Sequence, residues 1–308
     1  MCCLYGFLHY GNNKIKNLRD ITNKLAKEAT IRGMDATGIA YNDDGRLTIQ
    51  KEGKSAYRMD FRHSDRIVTL MGHTRHSTQG SEKKNYNNHP FGGKCRNSRF
   101  ALAHNGVLTN DDVLRKKYHL PKTKVETDSY IAVQLLEYRK VLDEDSIKFM
   151  AETVEGSYSF SIVDSQENLW LVKGDSPLHI LHFPKMQMYV YASTEEILWK
   201  ALIDTELFEE LKGGNFEEIP IHNGDILNLK ADGNISYSKF DYDEYRGYVF
   251  RNWWEYGMYS NSANSYIEDL KSVAAFEGIS PDEIDMLVNN GFTPDEIEEY
   301  IYCGICGL

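Results

Sequence analysis

Four short stretches of this chain hold the residue types that chemistry on a small zwitterion would need. They are "MCCLYGFLHYG" at residues 1–11, "GHTRHSTQG" at 72–80, "AHNG" at 103–106 and "ETDSY" at 126–130. Arg75 offers a planar fork that matches a carboxylate. Asp128, at the start of an expected helix, offers an anion for an ammonium group. Asn105 and the Gly106 N–H offer two donors at a tight turn, the arrangement an oxyanion hole requires. Cys2 follows the initiator methionine directly. Removal of Met1 would leave it a nucleophile carrying its own amine; otherwise it is one more residue of a first strand. Each cluster also has an ordinary reading, since a strand arginine commonly sits in a salt bridge and "HNG" commonly makes a turn.

Elements that could position these groups follow from periodicity. "CLYGFLHY" reads as a strand. Ile15, Leu18, Ile21, Leu25 and Ala26 keep helical spacing up to a stop at Gly33. "GIAYN" and "RLTIQK" form a hairpin across "DDG". "IVTLMGHTRHS" and "FALAHNG" read as strands ending in polar turns, joined by the long polar segment "TQGSEKKNYNNHPFGGKCRNS", whose length marks it as functional or disordered. "TDSYIAVQLLEYRKVL" reads as a helix with Thr127 as N-cap. "SYSFSIVD", "LWLVKGD", "HILHF" and "MYVYAS" read as strands of an antiparallel meander, "TEEILWKAL" as a helix, and "DILNLK" with "ISYSKF" as closing strands. Antiparallel runs with a few interposed helices make an α+β pattern, not a βαβ alternation. The series ends near Phe240.

The chain has 308 residues, 35 basic and 46 acidic, for a formal charge of −11. No basic stripe suggests nucleic acid, no apolar run reaches membrane-span length, and the start lacks the pattern of a secretory signal. Five cysteines (Cys2, Cys3, Cys95, Cys303, Cys306) are too few and odd in number for a disulfide framework. A cytoplasmic home is the expectation. Residues 265–308 hold ten acids and one lysine, a net of −9, which marks a separate module. Within it "SPDEIDMLV" and "TPDEIEEYI" repeat one helix start: Ser or Thr, then Pro, with Glu three residues after the cap.

Taken together and in order, "MC", "RGMDATGIA", "GHTRHSTQG", "NNHPF", "HNGVLTN", "ETDSY", "EGSYSFSIVD" and "YASTEEIL" resemble the class II glutamine amidotransferase domain, the N-terminal-nucleophile glutaminase. The resemblance covers roughly residues 2–240. It implies a four-layer αββα sandwich of antiparallel sheets and hydrolysis of the glutamine side-chain amide through a thioester. On this resemblance Cys2 is the nucleophile and its freed α-amino group the general base; the reference pKa of such an amine, ~7.7–8.0, suits that work. Arg75 would hold the α-carboxylate of L-glutamine and Asp128 its α-ammonium. Asn105 and Gly106 would form the oxyanion hole, Thr78 would line the glutamine, and Arg32 would lie near the nucleophile. No cofactor or metal is implied.

Two positions depart from the family. Cys3 stands where glycine is usual and reads as a small buried residue, and Gln79 stands where some members have histidine. Beyond 240, an aromatic-rich connector (241–264) and an acidic helical tail (265–308) contain no motif of the family's acceptor domains. The ammonia acceptor is therefore expected to be either a synthetase or transferase on another chain, or absent. A hydrolase of another amide or γ-glutamyl compound, and a non-catalytic glutamine sensor or scaffold, are the alternatives. "CGIC" at 303–306 lies at a helix end without a second pair, so neither a redox pair nor a zinc site is expected there. His73, His76, His89 and His104 are expected to be structural.

Overall fold

The computed structural model describes residues 2–11, 15, 17–43, 45–77 and 79–242. In the C-terminal part it describes 279–290 and the isolated positions 267, 270, 271, 274, 275, 292, 297, 300 and 301. Thr78, Cys303, Cys306 and nearly all of the aromatic run 242–259 lie outside the described residues. Met1–Tyr242 and Asp243–Leu308 make two compact units.

The first unit contains two sheets. Its strands are β1 (Cys3–His9), β2 (Ala36–Asp43), β3 (Arg46–Glu52), β4 (Thr69–Arg75), β5 (Phe91–Lys94), β6 (Arg99–Leu108), β7 (Gly156–Asp164), β8 (Leu169–Lys173), β9 (His179–Phe183), β10 (Met188–Ala192), β11 (Glu217–Glu218), β12 (Asp225–Leu229) and β13 (Ile235–Lys239). One sheet runs β11-β9-β10-β1-β4-β2-β3 and the other β13-β12-β8-β7-β6-β5. Every pairing is antiparallel. Its helices are α1 (Leu18–Glu28), α2 (Asp111–Lys117), α3 (Tyr130–Arg139), α4 (Glu144–Thr153), α5 (Glu195–Leu202) and α6 (Glu206–Lys212).

Strand alternation separates the layers. Along β1, Cys3, Tyr5 and Phe7 join a core with Leu18, Ile21 and Leu25 of α1 and Leu198 and Leu202 of α5. Leu4 and Leu8 point the other way, into a core shared with Ala101, Ala103, Val163 and Leu227 of the second sheet. The outer face of that sheet, with Phe100, Leu102, Phe160 and Val172, packs on Ile131, Leu135, Ile147 and Met150 of α3 and α4. The order is thus helix, sheet, sheet, helix, the αββα arrangement.

Several sequence expectations need correction. "HNG" is not a turn: β6 continues through Leu108, paired along its length with β7. The long segment after β4 is partly ordered, because "FGGK" forms β5 against β6. The four strands read as one meander belong to two sheets: β8 pairs with β12, while β9 and β10 cross to the sheet of β1. The N-cap position of α3 is Ser129, and the Thr127 hydroxyl has no partner. α2, α4 and α6, of 7, 10 and 7 residues, were not expected.

In the second unit, Pro281 opens a helix (Pro281–Asn289) whose cap Ser280 accepts from the Glu283 N–H at 3.2 Å. The Glu283 carboxylate accepts from the Tyr300 hydroxyl at 2.6 Å. Leu270, Ala274, Ile284, Leu287, Ile297 and Ile301 make a small core. The repeat start at 293–296 lies outside the described residues.

Candidate active site

β1 and β4 are neighbours in register Cys3↔Thr74, which sets Cys2 across from Arg75 at the adjoining strand ends. The Cys2 thiol is free and partly exposed, with Sγ 3.7 Å from the His76 carbonyl oxygen. Burial of the sulfur raises its pKa; the backbone hydrogen bond at His76 and the Arg75 charge oppose this, and the Asp128 charge adds to it. Arg32, at the end of the 3₁₀ turn Ala29–Arg32, is buried and donates from Nε to the Cys2 carbonyl at 3.0 Å. Gly33 admits this turn: a side chain there would meet the Arg75 and His76 backbone at 2.5–2.6 Å. Asp35 closes the junction by accepting from the Ser77 N–H at 2.7 Å.

Arg75 is buried, and its hydrogen bonds go to neutral oxygens. Nη1 donates to Asn88 Oδ1 at 2.9 Å, and Nη2 to the Gly80 carbonyl at 2.9 Å and to the Gln79 carbonyl. Among the described residues no carboxylate forms an ion pair with it. The charges of Cys2, Asp35 and Asp128 all act on the guanidinium, whose own burial disfavours its charge. A buried cation whose hydrogen bonds go only to neutral oxygens suits an incoming anion.

Asp128 sits just ahead of α3 and is 5% exposed. Its Oδ2 accepts from the Leu108 N–H at 2.6 Å. Glu126, two residues earlier, ties this segment to the loop that wraps Arg75: it pairs with Lys84 and accepts from Asn87 at 2.8 Å.

Asn105 comes from the other sheet. Its Nδ2 lies 3.5 Å from the Ser193 hydroxyl, which also accepts from the Leu4 N–H at 2.9 Å. Ser193 thus joins β6 to the strand that carries Cys2. Gly106 has φ +133, and a side chain there would meet the Ser157 carbonyl at 2.0 Å. The sheets are also joined by His73, whose Nε2 contacts the His104 carbonyl at 3.0 Å. His73, His89 and His104 are buried and held neutral. Burial takes His73 down to about 3, His89 well below its usual value, and His104 downward. Among the described residues no group of three potential ligands could hold a metal ion.

Arg32 thus holds the Cys2 carbonyl, the charges of Arg75 and Asp128 act on the Cys2 thiol, and Ser193 links Asn105 to Leu4 of β1. Cys3 is fully buried on the helix side of β1. Asn88 and Ser193 were not singled out from sequence. Both lie in quoted motifs, "NNHPF" and "YASTEEIL", but their partners are 13 and 88 residues away.

Residues 73–200 match the family described as a glutamine amidotransferase domain. Over these residues the chain carries a glutamine amidotransferase domain. Among relatives of this glutamine amidotransferase domain is a glutamine–fructose-6-phosphate aminotransferase (isomerizing) of Staphylococcus epidermidis, 34% identical over 188 residues, 58% of this chain and 30% of that protein. The Staphylococcus aureus (strain Mu50) protein of the same name is 29% identical over 245 residues, 76% of this chain and 38% of that one. The chain spans about a third of the length of these relatives. In fold, the glutamine amidotransferase domain matches a glutamine phosphoribosylpyrophosphate amidotransferase from B. subtilis. The TM-score is 0.62 at 20% identity, covering 79% of this chain and 50% of that one. No described helix is long and apolar enough to cross a membrane.

Proposed function

We propose that this domain hydrolyses the side-chain amide of L-glutamine to glutamate and ammonia, with Cys2 as nucleophile after removal of Met1. The observation that carries the reading is the pairing of opposite charges beside one thiol. Arg75, held by neutral oxygens, suits the α-carboxylate, and Asp128 suits the α-ammonium, so a free α-amino acid would lie with its side chain toward Cys2.

In the reaction the Cys2 sulfur attacks the amide carbon, and the thiol proton passes to the α-amine of Cys2 and on to the departing ammonia. A γ-glutamyl thioester remains, which water cleaves to glutamate and free thiol. A thiol whose pKa burial has raised is protonated at neutral pH, so a base must take its proton during attack, and the α-amine is the nearest group by covalent structure. Asn105 and Gly106 would stabilise the oxyanion, Thr78 would line the glutamine, and Arg32 would fix the Cys2 peptide. Ammonia would pass to a synthetase or transferase in trans, in the cytoplasm.

Intact-mass spectrometry tests the first requirement: active protein should lack Met1, and an active chain that keeps it quantitatively contradicts the mechanism. Cys2→Ala should abolish glutamine hydrolysis while Cys3→Ala largely preserves it. A diazo-ketone analogue of glutamine should label Cys2 alone; a label mapped to Cys3 reverses the assignment.

A further inference from the structure

The Asp128 carboxylate has a neighbour that the proposed reaction does not use. Its Oδ1 lies 3.3 Å from the Ser129 hydroxyl, and that hydroxyl lies only 2.8 Å from Nδ1 of His104. On the other side of the ring, His104 Nε2 faces the Ser157 carbonyl oxygen at 3.3 Å. Asp128, Ser129 and His104 are all buried. The ring is fixed further by stacking on Phe160 at 4.8 Å.

Few protons are available for these contacts. A carbonyl oxygen only accepts, so the contact to Ser157 is a hydrogen bond only when His104 carries its proton on Nε2. Burial keeps the ring neutral, and a neutral imidazole has a single N–H. Nδ1 is then an acceptor, and the one hydroxyl proton of Ser129 goes to it, along the shorter of the two contacts. Asp128 Oδ1 receives nothing from Ser129. In the opposite tautomer Nδ1–H would donate to Ser129, and the hydroxyl would turn its proton to Asp128. The carboxylate would then be satisfied before any substrate arrived, and Nε2 would face the Ser157 carbonyl lone pair to lone pair.

We infer that His104 is a positioning residue: by holding the Ser129 hydroxyl proton it keeps Oδ1 of Asp128 open for the substrate α-ammonium, and so sets the preference for a free α-amino group. This inference rests on the glutaminase reading above. A buried carboxylate oxygen lacking a donor is costly, and an ammonium that supplies the donor recovers that cost only on binding.

The test compares the rates at which Cys2 is labelled by a diazo-ketone analogue of glutamine and by the same compound without its α-amino group. His104→Gln keeps an amide near the Nε2 position but removes the acceptor at Nδ1, freeing Ser129 to donate to Asp128. It should lower the amino preference about tenfold, the factor one hydrogen bond is commonly worth. Adding Ser129→Ala to His104→Gln removes the competing hydroxyl and should restore most of the preference. A double variant no better than His104→Gln overturns the inference, as does His104→Gln slowing both labels equally. Asp128→Ala separates the two levels of argument: if it leaves the preference intact, the ammonium assignment itself fails, and this inference with it. ¹⁵N spectra of histidine-labelled wild-type protein add a readout that needs no variant. They should show His104 as the Nε2–H tautomer, and an Nδ1–H tautomer overturns the inference.

Discussion

At the scale of single residues, the groups around Cys2 divide by the state of the substrate they serve. In the proposed reaction Arg75 and Asp128 would meet charges that glutamine carries before, during and after turnover. Arg75→Ala and Asp128→Ala should therefore act mainly on KM. Under the same proposal Asn105 would face an oxygen whose charge exists only in the tetrahedral intermediate, so Asn105→Ala should lower kcat by about 10²–10³. Steady-state kinetics on the three variants checks the division, and an Asn105→Ala enzyme changed only in KM would remove Asn105 from the oxyanion role. Arg75 carries a second load, because its guanidinium also anchors Asn88 and the Gln79 and Gly80 carbonyls. Arg75→Ala should lower the melting temperature as well, whereas Asp128→Ala loses only one backbone contact of comparable quality.

At the scale of elements, β4 and β6 bring buried neutral histidines to the junction of the two sheets, and the loop ahead of β5 adds a third. His73 is lowered to about 3, and His89 and His104 are also lowered, in each case first by burial. In the unfolded chain each would titrate near its ordinary value of about 6.5. Between the two values the unfolded state binds more protons, so stability is full above about pH 6.5 and falls as pH drops below it. One pH unit below, His73 alone costs about 1 kcal/mol, and the lowered His89 and His104 add to the loss. Thermal unfolding at pH 7.5 and pH 5.5 should show this loss, and His73→Gln should flatten the slope; a melting temperature flat over that range would contradict neutral burial. The elements legible in sequence were those with a clear period, such as α1, or a short apolar and aromatic run, such as β1. The helices α2, α4 and α6 were missed, although α5 and α3, of similar length at 8 and 10 residues, were read, so length alone does not separate them. The crossing of β9 and β10 to the other sheet was invisible because strand pairing is decided by partners far along the chain. Candidate site residues could be nominated where one side chain announces one chemistry, as with Arg75 or Asp128. Asn88, Ser193 and His104 act through long-range hydrogen bonds, which leave no local pattern.

At the scale of the whole molecule, each compact unit has its own apolar core. Tyr242 meets Phe240 edge-on at 6.0 Å and Tyr158 at 6.2 Å, so the aromatic packing of the first unit extends through it. A chain ending after Tyr242 should fold and keep glutaminase activity, with a melting temperature within a few degrees of the full protein. One ending before Phe240 should be less stable, because it uncovers Tyr158. Circular dichroism and an ammonia-release assay distinguish these outcomes, and aggregation of the longer fragment would show that residues 243–308 are needed for the first unit to fold.

β1 lies inside its sheet, laddered to β10 on one side and β4 on the other, and every residue from Cys3 to His9 is buried. Its amide protons should accordingly be among the slowest in the molecule to exchange with deuterated solvent, released only by events close to global opening. The thiol at its end is then tethered by a single residue to the least yielding part of the protein, so that its motion on the time scale of turnover reduces to rotation about its own side-chain and terminal bonds.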